Sequence, residues 1–163
     1  MTERIDTLGK GWHVVTMNET RDIVRDGAVA VRDGLIVDVG KASRIEERYE
    51  PDQTLGGNRF VVTPGMINSH IHITGEPLTR GYVPDATPFE ENVFQWLCPL
   101  YSVYTAAEER LSAQLAAIEM LKSGTTTFLE AGTIRFLDEV FAGLTEVGIR
   151  GRLGRWVWDL PPE

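Results

Sequence analysis

The chain has 163 residues, 42% of them hydrophobic and 25% charged, an ordinary balance for a folded protein of one domain or two small ones. A formal net charge of −8 sets nucleic acid and anionic membrane aside as main partners, because an acidic surface attracts neither. The single cysteine, Cys98, forms no internal disulfide, the first residues carry no signal-peptide pattern, and no run approaches the ~18 apolar residues of a membrane span, so the expected location is cytoplasmic.

Residues 12 to 62 read as all-β. His13 to Met17 is a strand, with His13 an ordinary member of it. Ala28 to Val31 and Leu35 to Gly40 form a hairpin, because Arg32-Asp33-Gly34 places Asp-Gly between β-rich runs, a strong tight-turn signal. Ser43 to Tyr49 is a short helical turn with a charged, solvated face. Phe60 to Val62 returns to strand and runs into Thr63-Pro64-Gly65-Met66-Ile67-Asn68-Ser69-His70-Ile71-His72.

That segment is the most informative in the chain. Successive side chains of a strand point to opposite faces, so His70 and His72 share a face, roughly 6 to 7 Å apart along the chain. Two neutral imidazoles at that spacing reach one metal ion. An isolated His-x-His is equally a strand end with two hydrogen-bonded or solvent-facing histidines. Here an apolar run precedes the pair, and a stretch rich in Gly, Pro, Thr and charge follows it from Thr74 to Pro88, where functional loops sit after barrel strands. Glu76, Arg80, Tyr82 and Asp85 lie in that loop, as pocket-lining groups or as ordinary loop polarity. Cys98, in Trp96-Leu97-Cys98-Pro99 with no histidine near it, reads as packing.

The period then changes. Thr105-Ala106-Ala107-Glu108 is a capping box that starts a helix, Leu111, Leu115, Ile118 and Leu121 mark its apolar face, and Gly124 stands just past its end. Thr125 to Glu130 is a second strand, ending on a carboxylate that either orients a ligand histidine or is simply hydrogen-bonded locally. A helix from about Arg135 to Glu146 follows, with Phe136, Val140, Phe141 and Leu144 apolar. Ile149 to Leu160 reads as a third strand, on which Trp156 and Trp158 share a face as core or pocket wall. The order β-α-β-α-β implies parallel strands with crossover helices. No Gly-rich phosphate loop follows the first of them, and the histidines stand at its carboxyl end, so a (β/α)8 barrel is preferred over a doubly wound sheet.

Several motifs in this order resemble the amidohydrolase superfamily: Thr63 to His72, Leu78-Thr79-Arg80-Gly81, Gln95-Trp96-Leu97, and Ala117-Ile118-Glu119-Met120-Leu121-Lys122-Ser123-Gly124-Thr125-Thr126-Thr127. Within it the likeness is to the cytosine deaminase and triazine hydrolase branch. The resemblance implies a small N-terminal β-sandwich segment, residues 1–62, followed by the first three strands and two helices of a metal-dependent TIM-barrel hydrolase, residues 63–163. It implies that His70 and His72 are the first two ligands of a divalent metal, Zn before Fe, Mn or Co. Such an ion lowers the pKa of a bound water from ~15.7 towards ~7 and so serves hydrolysis of C–N bonds in deamination or in cleavage of amides, ureas or carbamate-like compounds. Glu76, Arg80, Tyr82, Glu130 and Trp158 are the accompanying candidates for substrate contact or for support of the ligands.

A whole barrel needs ~250 residues, so the remaining ligands and the acid-base group are expected outside these 163, in the same or a second chain. The resemblance also implies a small-molecule substrate and a homo-oligomer. A non-catalytic fragment or assembly subunit of a split barrel is the alternative.

Overall fold

The Asp-Gly turn forms as its composition requires. Asp33 and Gly34 both take positive φ, 53° and 73°, the conformation that lets a two-residue turn follow the twist of its flanking strands. In this computed structural model, which describes residues 2–157 apart from the side chain of Glu76, the turn joins β2 (Ile23–Arg32) to β3 (Leu35–Lys41). Before them runs β1 (Glu3–Val15), and after them α1 (Ala42–Arg48) and β4 (Tyr49–Val62). The sheet order is β3-β2-β1-β4, with β1 antiparallel to β2 and parallel to β4. Ile5, Leu8, Ala28 and Ala30 pack with Ile45 of α1 and Tyr49 in one buried cluster.

One expectation changes here. The first strand begins at Glu3, well before His13, because its buried positions fall at Ile5, Leu8, Gly11 and Val14, a spacing of three that hides the period of two. Its pairing with β4 slips between Gly11 and His13, the irregularity that resets the pattern. Among the described residues this unit is a single sheet covered by a helix, with no second layer stacked on it.

The chain divides into two compact units, Met1–Pro64 and Gly65–Glu163. The second is built on the parallel sheet β5 (Met66–Ile71), β6 (Thr125–Glu130) and β7 (Arg150–Arg152), in that order. The connection from β5 to β6 holds α2 (Glu76–Thr79), α3 (Phe89–Glu91), a π-helical turn over Asn92–Leu97, α4 (Cys98–Val103) and α5 (Ala106–Lys122). A single helix, α6 (Leu137–Val147), connects β6 to β7. One of these short helical pieces, α2, stands within Thr74 to Pro88, where the sequence reads as loop, and the other three follow it. Each is too short to display a hydrophobic period, and the Pro and Gly residues between them look like loop composition. The third strand is likewise shorter than expected: the ladder spans three residues, and beyond it a lone parallel bridge joins Ile134 to Arg155. Trp158 lies outside the described residues.

Helix α5 starts at the expected box. Thr105 Oγ1 accepts from the Glu108 N–H at 3.3 Å, and the Glu108 carboxylate accepts from the Thr105 N–H at 2.8 Å. Past its end Gly124 takes φ 92°. The buried face, however, is not the Leu/Ile stripe. Ala113, Ala116, Ala117 and Met120 enter the core with Ile71, Ile73, Phe128, Val140 and Leu144, while Leu111, Leu115 and Ile118 are 54%, 44% and 44% exposed. Small side chains let the helix lie close on the sheet and on α6. The close approach is visible at Gly143 of α6, where a Cβ would stand 2.8 Å from Arg110 Cγ. Of the apolar residues read for the second helix, Val140 and Leu144 are buried and Phe141 is exposed. No helix among the described residues is long and apolar enough to cross a membrane.

Candidate active site

The two histidines of the second unit stand where its first parallel strand ends. His70 is the penultimate residue of β5, and His72 lies one residue beyond the strand. Their ring centroids are 5.1 Å apart and the planes stand at 89°. The strand reaches this geometry through a local distortion. Asn68 pairs with Phe128 and Ile71 with Glu130, three steps against two, and the Asn68 side-chain oxygen accepts from the His70 N–H at 3.1 Å. His70 is exposed and His72 half-buried.

The His72 Nδ1 atom is buried and has no hydrogen-bond partner. A buried nitrogen left unbonded is costly unless something outside the protein's own polar groups engages it, and an imidazole lone pair is a metal donor. This observation fits the two rings to a metal. No group of three or more His, Cys, Asp or Glu side chains able to hold an ion exists among the described residues, so the donors present amount to part of a ligand set.

Beside His72 opens a recess of about 410 Å³, lined also by Thr79, Arg80, Asp85, Asn92 and Tyr101. Arg80 Nη1 donates to Glu119 Oε2 of α5 at 2.7 Å, which fastens the end of the α2 segment to that helix. Both side chains are more than half exposed, so the pair positions the segment and adds little stability. Tyr82 is not a lining residue. Its exposed ring packs edge-on against Trp96 at 5.6 Å. For Glu76 the structure describes the backbone alone, at the start of α2. The thiol of Cys98 is buried, and burial pushes its pKa up, as a packing residue requires.

Glu130 has partners other than histidine. It is 4% exposed, and its carboxylate accepts from the N–H groups of Gly132 (2.7 Å), Thr133 (2.9 Å) and Gly154 (3.1 Å) and from Thr133 Oγ1 (2.5 Å). Those four donors occupy both of its oxygens.

Sequence reasoning missed Asn92, Tyr101 and Glu109. Asn92 Oδ1 is buried without a partner in the recess wall, at the first residue of the π-helical turn. Glu109, fully buried, accepts from the N–H groups of Arg135 and Phe136 ahead of α6. Burial first, then the Glu108 and Glu109 carboxylates, pushes the Tyr104 phenol up to about 12. A carboxylate inside a helix core gives no signal distinct from a solvated one.

The model of the Amidohydrolase family matches residues 61–161, and that of an imidazolonepropionase-like composite domain of bacteria matches residues 27–49. The 5-methylthioadenosine/S-adenosylhomocysteine deaminase of Thermodesulfovibrio yellowstonii is 34% identical over 152 residues, covering 91% of this chain and 34% of that protein. A 5'-deoxyadenosine deaminase of Methanococcoides burtonii is 32% identical over 155 residues, covering 95% of this chain and 34% of its own length. Among solved structures, an adenosine deaminase from Xanthomonas campestris with bound zinc superposes with a TM-score of 0.78 at 28% identity, over 93% of this chain and 34% of that one. A triazine hydrolase from Arthrobacter aurescens, at 22% identity and a TM-score of 0.66 over 89% of this chain and 34% of its own, shares the fold. The chain thus spans about a third of the length of the relatives it matches. Its two histidines, parallel strands and matched residues make one statement: the chain belongs to the amidohydrolase family.

Proposed function

We propose that this chain carries the first part of the active site of a metal-dependent hydrolase that releases ammonia from an amino-substituted ring, with an adenine nucleoside as the substrate class. The observation that carries the reading is the convergence of His70 and His72, with an unbonded Nδ1 on His72, at the carboxyl end of a parallel strand. The names borne by the relatives at 34% and 32% identity support the choice of deamination over cleavage of amides, ureas or carbamates.

In this reading His70 and His72 hold a divalent cation, Zn before Fe, Mn or Co. When bound, such an ion activates water for attack and polarises the carbon that carries the leaving amine. The chain's own residues do the rest. The Arg80–Glu119 pair holds the α2 segment beside His72, and the recess between them admits a flat molecule while its Pro84, Val83 and Leu97 walls limit water. Further ligands and the proton-transferring group come from barrel strands outside residues 1–163, in the same or a second polypeptide, within a protein of the cytoplasm that forms homo-oligomers. Residues 1–62 form the small β domain and 63–163 the opening third of the barrel.

A second reading, a barrel subunit without chemistry of its own, is favoured by the two-ligand count among the described residues. The test uses the complete protein. His70→Ala and His72→Ala should each remove most of the bound metal, measured by inductively coupled plasma mass spectrometry, and should abolish ammonia release from 5'-deoxyadenosine. Exhaustive chelation should do the same, with activity restored by Zn²⁺, Co²⁺ or Mn²⁺. Full turnover in either variant with metal retained would sink the ligand assignment, and a metal-loaded wild type inert towards every amino-purine nucleoside would favour the second reading.

A further inference from the structure

Two adjacent carboxylates in the first turn of α5 do different work. Glu108 closes the capping box at the surface, whereas Glu109 is fully buried. A buried carboxylate requires donors in place of water. Those of Glu109 come from a distant stretch of backbone: the Arg135 N–H at 3.2 Å from each oxygen and the Phe136 N–H at 2.8 Å from Oε2. Both donors stand at the entry to α6, whose N-cap residue, Phe136, makes no side-chain cap of its own.

Capping alone accounts for the bonds to the two N–H groups. It does not account for where the Arg135 side chain goes. Arg135 Nη1 donates to the carbonyl oxygens of Tyr101, at 3.0 Å, and of Ser102, both in the last turn of α4, where a cation suits the unpaired helix carbonyls. Tyr101 is 6% exposed and lines the recess beside His72. Its phenol lies so close to Gly75 that a Cβ there would overlap it, and the Gly75 N–H donates to the His72 carbonyl at 3.0 Å. The Tyr101 ring therefore closes on the turn that follows His72, with Trp156 edge-on to it at 5.4 Å and 87°.

The same helix holds the opposite wall. About three turns beyond Glu109, Glu119 accepts from Arg80 and fastens the α2 segment. The exposed Arg80–Glu119 pair is open to solvent, while the Glu109 contact is sealed from it.

We propose that Glu109 is a positioning residue for the recess beside His72: by holding the backbone of Arg135 it aims that guanidinium at the end of α4 and so sets where Tyr101 stands. Neither Glu109 nor Arg135 is among the described residues that line this recess. The kinetic part of the test rests on the deaminase reading, and the exchange part does not.

The experiment compares Glu109→Gln, Arg135→Met and the double variant in the complete protein. By hydrogen exchange and mass spectrometry, the segment 98–104 should exchange at least about threefold faster in both single variants, and the double variant should match Arg135→Met. The urea midpoint should nonetheless fall with Glu109→Gln in either background, because its bonds run to backbone that methionine keeps. A carboxylate that only caps α6 would lower the midpoint and leave α4 exchange unchanged. With 5'-deoxyadenosine, Glu109→Gln should raise KM at least about tenfold with kcat altered less than about threefold, and should add nothing in the Arg135→Met background. Unchanged α4 exchange in either single variant, or independent effects of the two substitutions, would overturn the proposal. In an active enzyme, an unchanged KM or a fall in kcat alone would do the same. A wild type inert towards every amino-purine nucleoside would remove the deaminase reading, and the exchange result would still decide the role of Glu109.

Discussion

Glu130 Oε2 accepts the Gly154 N–H at 3.1 Å and, on the same oxygen, the Gly132 N–H at 2.7 Å, so one buried carboxylate joins the loops that follow two neighbouring strands. Its other oxygen takes the N–H and the hydroxyl of Thr133. Glu130→Ala strands four donors in a buried place and should destabilise the protein by about 1–3 kcal/mol. Glu130→Gln keeps the shape but turns an amide N–H towards backbone N–H groups, so it should recover only part of the loss. Urea denaturation of the three proteins decides, and a variant as stable as wild type would remove Glu130 from this role.

A second consequence concerns Gly151 in β7. A Cβ built there would stand 2.3 to 2.8 Å from the ring atoms of Phe128, which is 2% exposed and held in the core. The ring cannot retreat without displacing its neighbours, so Gly151→Ala should cost about 1–3 kcal/mol. Phe128→Leu in the same background should return part of it. An unchanged melting temperature in Gly151→Ala would show that the sheet spreads freely.

What could be read in the residues, and what could not, follows from the range of the forces involved. The hairpin at Asp33-Gly34, the capping box at Thr105 and Glu108, and the strand ending at Glu130 rest on interactions within a few residues, and each stands where its pattern placed it. The buried face of α5 depends on what lies across from it. Two stripes of that helix satisfy the same period, and the larger side chains drew the assignment while the alanines took the core. The approach of His70 and His72 was legible because both sit on one short segment. The convergence of Ser102, Arg135 and Trp156 was not, since it joins three connections that no local spacing relates.

Acid should loosen the start of α5. The Thr105 backbone N–H, then the Thr105 hydroxyl, hold the Glu108 carboxyl below its usual value of 4.5. A folded-state pKa that is depressed contributes stability above the unfolded value, and that contribution is lost as the pH falls through the folded value. Asp38, held down first by its hydrogen bond from Arg44, acts with the same sign in the first unit. The stability difference between wild type and Glu108→Gln should therefore be present at neutral pH and shrink on acidification from 4.5 downwards. Thr105→Ala should cost about 1 kcal/mol at neutral pH through the lost cap. Denaturation midpoints across the pH series check both, and a constant wild-type to Glu108→Gln difference would contradict the linkage.

The exposed stripe of α5 should behave in opposite ways in two settings. Leu111, Leu115 and Ile118 are 54%, 44% and 44% exposed here, and β5 and β7 stand at the two edges of an open parallel sheet. Sheet edges and apolar stripes of this kind promote association in water. Expressed as residues 1–163, the chain should self-associate and show no turnover, and Leu115→Gln with Ile118→Gln should raise its monodisperse fraction in size-exclusion chromatography. On the proposal that further barrel helices cover the stripe in the complete protein, the same double substitution should destabilise it by about 2–5 kcal/mol, because it would place two amides in a packed interface. A monodisperse and active 18.2 kDa monomer of the unsubstituted chain would defeat the first half of the expectation. A complete protein indifferent to the two glutamines would defeat the second and leave the stripe as ordinary surface.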